Sequence, residues 1–390
     1  MSIDPGSFVN EKVQKLPPSG IRKFFDLVSQ TEGVISLGVG EPDFVTPWHI
    51  REACFYSLEK GFTMYTSNYG MPELRKAISD YLKKYQTEYN PFDEILVTVG
   101  VSEAVDLALR ALVSAGDEVL IPDPAFVSYA PGALLTDGVP VPLGTFEKDD
   151  FRLTKEELIS KLTPRSKVLL LTFPNNPTGA IMTKEDLEMI AQVVTENNLV
   201  VISDEIYGEL TYEGKHFSFA ALPGMRERTI TLNGFSKAFA MTGWRIGYAA
   251  GPQEIINAMM KIHQYSIMCA PIMAQKAALE ALKNGESEMK RMVHSFNQRR
   301  NLIVNGLREL GLACFEPKGS FYAFPSIKNT GLTSEEFAEK LLIEEKVAVV
   351  PGNAFGESGQ GFIRCCYASS VANINEALER MGRFLARLPG

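Results

Sequence analysis

Thr229-Ile230-Thr231-Leu232-Asn233-Gly234-Phe235-Ser236-Lys237-Ala238-Phe239-Ala240-Met241-Thr242-Gly243-Trp244-Arg245-Ile246-Gly247 is the stretch from which the rest of the chain is read. It opens with a β-branched run suited to a buried strand, then sets a lysine just past it in a bend of small residues, with an arginine eight positions on. A lysine amine becomes a nucleophile only when desolvation or a neighbouring cation suppresses its charge, and the mouth of a buried strand supplies both conditions. The layout therefore suits a Schiff-base lysine at Lys237, with the permanently charged fork of Arg245 placed to meet a phosphate. A lone lysine after a core strand is ordinarily a surface residue, so the reading depends on the rest of the chain.

Outward from this stretch, strand signals recur at Glu118 to Ile121, Lys167 to Thr172, Leu199 to Ser203 and Arg245 to Ala250, mostly separated by helical patterns such as Lys184 to Val194. Repeated strand–helix order predicts an α/β fold with a mainly parallel sheet covered by helices, whose ligand crevice lies at the carboxyl ends of the strands. Asp123-Pro124-Ala125-Phe126, Asn175-Asn176-Pro177-Thr178-Gly179, Asp204-Glu205-Ile206-Tyr207 and Ser236-Lys237 all fall at such ends. Ile95 to Gly100 reads as a strand turning through Val101 and Ser102 into a helix, a ready anion site because unpaired backbone N–H groups face outward there; Ser102 equally suits a simple N-cap. Gly38-Val39-Gly40 tempts a dinucleotide-binding reading, but Pro42 and Pro47 argue against an immediately following helix and the third glycine is missing.

Upstream, residues 16 to 32 read as turn-formers followed by a short amphipathic helix through Phe24, Phe25 and Val28, and Trp48 to Leu58 and Leu74 to Tyr85 as further helices. Beyond Gly251-Pro252 a long helical stretch runs through Arg300. Short strands follow at Ala313 to Glu316, Ser320 to Phe324, Val347 to Val350 and Phe362 to Cys366, predicting a smaller α+β domain. The expected division is residues 48–285 as the large domain, with 1–47 and 286–390 forming the small one.

At 390 residues, 45% hydrophobic and 22% charged, the composition is that of a folded globular protein. The net charge of −8 comes without a long basic block, which argues against nucleic acid as a partner. No apolar run spans a bilayer and the first residues lack a basic-then-apolar signal pattern, so a cytoplasmic protein off the membrane is expected. The cysteines (54, 269, 314, 365 and 366) are odd in number and lack metal-ligand spacing; no disulfide and no metal site is expected.

Taken together, Gly40-Glu41-Pro42-Asp43-Phe44, Asn176-Pro177-Thr178-Gly179, Ser203-Asp204-Glu205-Ile206-Tyr207, Ser236-Lys237 with Gly243-Trp244-Arg245-Ile246-Gly247, and Phe362-Ile363-Arg364 resemble the class I aminotransferases, fold-type I enzymes dependent on pyridoxal phosphate. Pro124 to Pro131 and Val347 to Gly352 look like the branch of archaeal aromatic and bacterial broad-specificity enzymes. The resemblance implies that Lys237 holds pyridoxal 5'-phosphate covalently and moves the proton at the substrate α-carbon. Asp204 would face the pyridine nitrogen and keep it protonated, Asn176 and Tyr207 would hydrogen-bond the phenolic oxygen, and Phe126 would lie on the ring face. Val101, Ser102, Ser236 and Arg245 would hold the phosphate. Gly234 departs from the common pattern, which often has a hydroxyl residue there. Arg364, with the backbone of Gly40, would bind the substrate α-carboxylate, and Tyr65 would reach the neighbouring subunit's phosphate, implying a homodimer with shared active sites. An aromatic or bulky amino donor and 2-oxoglutarate as acceptor are expected, from the resemblance and from Ile21, Tyr65, Tyr69, Phe126 and Phe321 on likely pocket loops. The alternatives are an aspartate- or alanine-type aminotransferase, a carbon–sulfur β-lyase, or a non-enzymatic regulator that binds the same cofactor.

Overall fold

The computed structural model describes residues 4–16, 28 and 31–388. The helix expected at residues 16–32 lies almost wholly outside this range, as does Ile21. A seven-stranded sheet runs in the order β2 (Ile95–Thr98), β8 (Gly247–Ala250), β7 (Thr229–Gly234), β6 (Val200–Asp204), β5 (Ser166–Thr172), β3 (Glu118–Asp123), β4 (Val139–Gly144). The pairs from β7 to β4 are parallel, while β8 is antiparallel to both β7 and β2. Strands β2, β3, β7 and β8 are buried at every residue, which explains their nearly continuous apolar runs.

Alternation along the strands divides the packing between two faces. Leu96, Leu170, Ile202, Ile230 and Ala249 face helices Gly100–Leu112 and Gln253–Ser266 through Ala104, Ala108, Ile256 and Met259. On the other face, Ile95, Val97 and Tyr248 pack with helices Pro72–Leu82 and Ile272–Asn284, and Leu169, Leu171 and Val201 with Lys184–Glu196. Edge strand β4 has no counterpart in the sequence reading, because Pro140 and Pro142 remove ladder donors that only an edge position can spare.

The remaining elements surround a separate apolar cluster. Phe296, Ile303 and Leu307 of helix Glu286–Glu309, Phe337 and Leu341 of Ser334–Glu345, and Ile374 and Phe384 of Val371–Leu385 pack with Phe321 and Ile363. Here β11 (Val350–Pro351), β12 (Ile363–Cys366) and β9 (Tyr322–Ala323) form an antiparallel sheet, and β1 (Ile35–Ser36) pairs in parallel with β10 (Val347–Ala348). The single strand expected at Val347–Val350 is thus two, in different sheets, and the one expected at Ala313–Glu316 is a lone bridge from Cys314 to Pro325. The strand expected from Arg245 begins only at Gly247, since Thr242–Trp244 is a 3-10 turn and Arg245 is left-handed at φ 50°. No helix among the described residues is long and apolar enough to cross a membrane.

Candidate active site

The carboxyl ends of β3, β5, β6 and β7 open into a cavity of about 1050 Å³, completed by Gly40, Tyr322, Phe355 and Arg364 from the second cluster's side. Gly40, Val101, Ser102, Phe126, Asn176, Asp204, Tyr207, Ser236, Lys237, Arg245 and Arg364 all line it. Of the residues given a cofactor or substrate contact in the sequence, Tyr65 does not: it is 82% exposed, on the loop after helix Trp48–Glu59.

Lys237 stands three residues beyond β7, and its Nζ donates to the Gly40 carbonyl at 2.7 Å. Burial pushes its amine down from 10.5 to about 8, with Arg364 and Arg245 adding to the effect and Cys366 and Glu41 opposing it. About a tenth of the amine is therefore unprotonated at pH 7, far more than for an ordinary lysine, and the neutral amine is the form that attacks a carbonyl. Facing it, Asp204 ends β6 as a buried carboxylate. Tyr129 donates to its Oδ2 at 2.8 Å and the Ile206 N–H to its Oδ1 at 3.1 Å. Burial raises Asp204 to about 6; Tyr129 and Ile206 oppose the rise and neighbouring Glu205 adds to it. A carboxylate held in this environment gains by pairing with a cation.

Arg364 is 4% exposed and lies between the rings of Tyr322 and Phe355, with its guanidinium carbon 4.4 and 4.7 Å from their centroids. Its Nη1 donates to Asn176 Oδ1 at 2.8 Å and its Nη2 to Gly38 O at 2.6 Å, while Nε has no protein partner among the described residues. The loop presenting Asn176 is fixed by Asn175, whose Oδ1 accepts from the backbone and hydroxyl of Thr178. Tyr207 hydrogen-bonds Tyr322 hydroxyl to hydroxyl at 2.8 Å, and burial holds its phenol well above the ordinary value.

At the other end, helix Gly100–Leu112 starts with Gly100 at φ 75° and no side-chain cap, so Ser102 sits inside the first turn and is not the N-cap. Arg245 reaches over this turn: a Cβ on Gly100 would fall 2.7 Å from its Nη2. The departure at Gly234 has a steric reason, since a Cβ there would lie 3.0 Å from Gly247 Cα and 3.1 Å from the Ile246 carbonyl. Free N–H groups, two hydroxyls and a guanidinium beside glycine-thin backbone make an anion cradle.

The sequence reading missed Tyr129 and Tyr322. Phe321, expected on the pocket, is fully buried in the second core, packed against Tyr207 and Tyr322, and it is Tyr322 that lines the cavity. Tyr69, also expected there, donates its hydroxyl to Asn257 and faces Arg75.

A depressed amine, a buried carboxylate, an anion cradle and a guanidinium clamp around one cavity define a lysine-dependent enzyme of amino-acid chemistry. The family model for aminotransferase class I and II matches residues 32–381, and the chain belongs to that family of pyridoxal-phosphate-dependent enzymes. It is 54% identical to a putative aminotransferase, YugH, of Bacillus subtilis over 97% of this chain and 98% of that one. It is 48% identical to an aspartate aminotransferase of Pyrococcus abyssi, again over 97% and 98%. Among solved structures, an aromatic aminotransferase from Pyrococcus horikoshii superposes with a TM-score of 0.90 at 48% identity, covering 93% of this chain and 98% of that one. The protein is an aminotransferase with the fold-type I architecture.

Proposed function

We propose that this aminotransferase takes the amino group of an aromatic or other bulky apolar L-amino acid and passes it to a 2-oxo acid such as 2-oxoglutarate. The observation that carries the donor class is the set of cations on the cavity. Among the described residues they are Lys237, Arg245 and Arg364, and each is committed to the reacting end. Leu16, Ile121, Ala125, Pro131, Leu135 and Phe355 supply an apolar remainder. A side-chain carboxylate without a partner there costs several kcal/mol, whereas an aromatic ring gains by burial. Glutamate enters as the common partner through water or rearranged hydrogen bonds.

When bound, pyridoxal 5'-phosphate supplies an aldehyde and an electron-withdrawing ring. The residues present fit it: Lys237 for covalent attachment, Asp204 for a protonated ring nitrogen, Phe126 for a ring face, Asn176 and Tyr207 for a phenolic oxygen. The first turn at Val101 and Ser102, with Ser236 and Arg245, fits the phosphate. Lys237, once released, moves the proton at the substrate α-carbon, and Arg364 with the Gly40 backbone orients the α-carboxylate. Tyr65, exposed on its own chain, serves the opposite site of a homodimer in this reading. Residues 48–285 form the large domain, with 1–47 and 286–390 as the small one, a division supported by the pairing of β1 with β10.

Comparing kcat/KM for phenylalanine, tyrosine, aspartate and alanine, with 2-oxoglutarate as acceptor, tests the donor class. Aspartate is the competing reading because the Pyrococcus abyssi relative is named for it. An advantage of about tenfold for aspartate over both aromatics overturns the proposal, because one extra ion pair is worth that much.

A further inference from the structure

Asp204 is the residue that the reading above turns toward a cation, yet nothing in the active-site chemistry explains how its carboxylate is held. Residues from three different parts of the fold surround it. Tyr129, first residue of helix Tyr129–Leu135, donates its hydroxyl to Oδ2 at 2.8 Å, and both groups are buried. Thr172, last residue of β5, is the polar side chain that opposes the effect of burial on the same phenol. A phenol has one proton, and the contact with Oδ2 commits it to Asp204. The Ile206 N–H holds the other carboxylate oxygen, which leaves the group unable to rotate. The ring of Tyr129 meets Phe126 edge to face at 5.6 Å and 76°.

We propose that Tyr129 is a positioning residue: through its hydroxyl, beside Thr172, it holds the Asp204 carboxylate ionised and aimed into the cavity, and through its ring it sets Phe126. The inference rests on the reading that Asp204 pairs with the protonated ring nitrogen. Other titratable groups near Asp204 do not substitute for Tyr129. Glu205 is turned away and saturated by Ser203, Ser218, His216 and the Phe219 N–H, and Lys237 stands across the cavity bonded to Gly40. Of the influences that keep Asp204 ionised against burial, Tyr129 is the largest.

The test is the pH dependence of cofactor retention, read without turnover. Full-length holoenzyme is diluted stepwise across a series of pH values, and bound pyridoxal phosphate is followed by its absorbance. In the wild type, retention weakens as pH falls through the Asp204 titration, and Asp204→Asn removes that component. Tyr129→Phe is expected to weaken retention about tenfold, the worth of one hydrogen bond to a charged group, and to move the Asp204 component up by about one pH unit. Thr172→Val, which keeps the phenol, moves it in the same direction by less. If Asp204→Asn loses the component while Tyr129→Phe superimposes on the wild type, the inference fails and the role of Asp204 stands. Weaker retention at every pH with an unmoved midpoint makes Tyr129 merely structural and also overturns it. If Asp204→Asn itself keeps the wild-type profile, the underlying reading of Asp204 fails.

Discussion

Replacing Arg364 by lysine keeps the charge and removes the fork, which makes it a sharp test of the substrate clamp. In the structure the guanidinium uses Nη1 and Nη2 on Asn176 and Gly38 and presents its flat faces to Tyr322 and Phe355. An ammonium in the same place forfeits one of two parallel hydrogen bonds to a carboxylate, worth about 1.5–3 kcal/mol. It also loses part of a desolvated stacking interaction of up to about 2 kcal/mol. The combined loss of roughly 2–4 kcal/mol corresponds to a fall in kcat/KM of about 30-fold to about 1000-fold. The assay pairs phenylalanine with 2-phenylethylamine, which has the same side chain and no carboxylate. The wild-type preference for phenylalanine should collapse in Arg364→Lys, while the slow reaction with the amine changes little. A phenylalanine-to-phenylethylamine ratio within about threefold of the wild type would refute the assignment of Arg364 to the α-carboxylate.

Lys237→Met should abolish amino transfer and yet stabilise the cofactor-free enzyme. The folded-state amine is depressed from 10.5 to about 8, so the fold disfavours its charged form; below about 8 that cost is complete, and it disappears as pH rises from there toward 10.5. Denaturant melts should show a gain on the order of 3 kcal/mol at pH 7 that shrinks through this window; a gain constant with pH contradicts the account. Mixed dimers of Tyr65→Ala and Lys237→Ala chains, verified by mass spectrometry, should regain activity above either parent in one of two sites, since one site then carries both lesions and the other neither. Absence of rescue returns Tyr65 to its own subunit or removes it from the site.

The large sheet was legible because its strands are buried on both faces and read as apolar runs ending in polar signatures. Strand β4 was not, because two prolines at a sheet edge look like a loop until a neighbour is seen to supply the pairing. Phe321 and Tyr322 mark another limit: the two adjacent aromatics pack against each other and against Tyr207, yet only Tyr322 lines the cavity, and their order in the sequence cannot say which of them does. Residues whose chemistry is carried by their own type, Lys237, Asp204 and Arg364, stood out in the sequence. Tyr129 was quoted there only as part of a stretch, because its importance lies in a contact with a residue 75 positions away.

The clamp on Arg364 joins residues 326 positions apart, whereas the lysine, the carboxylate and the anion cradle all lie within residues 100–245. A ribosome moving at about 5–20 residues per second delivers Arg364 on the order of 10 s after Lys237. During that interval a nascent chain can assemble the sheet and its anion cradle before it owns the group that grips an α-carboxylate. Recognition of the one feature all amino acids share is therefore the last property this polypeptide acquires, and the full burial of Lys237, which Phe321 and Cys366 help to enclose, arrives with it.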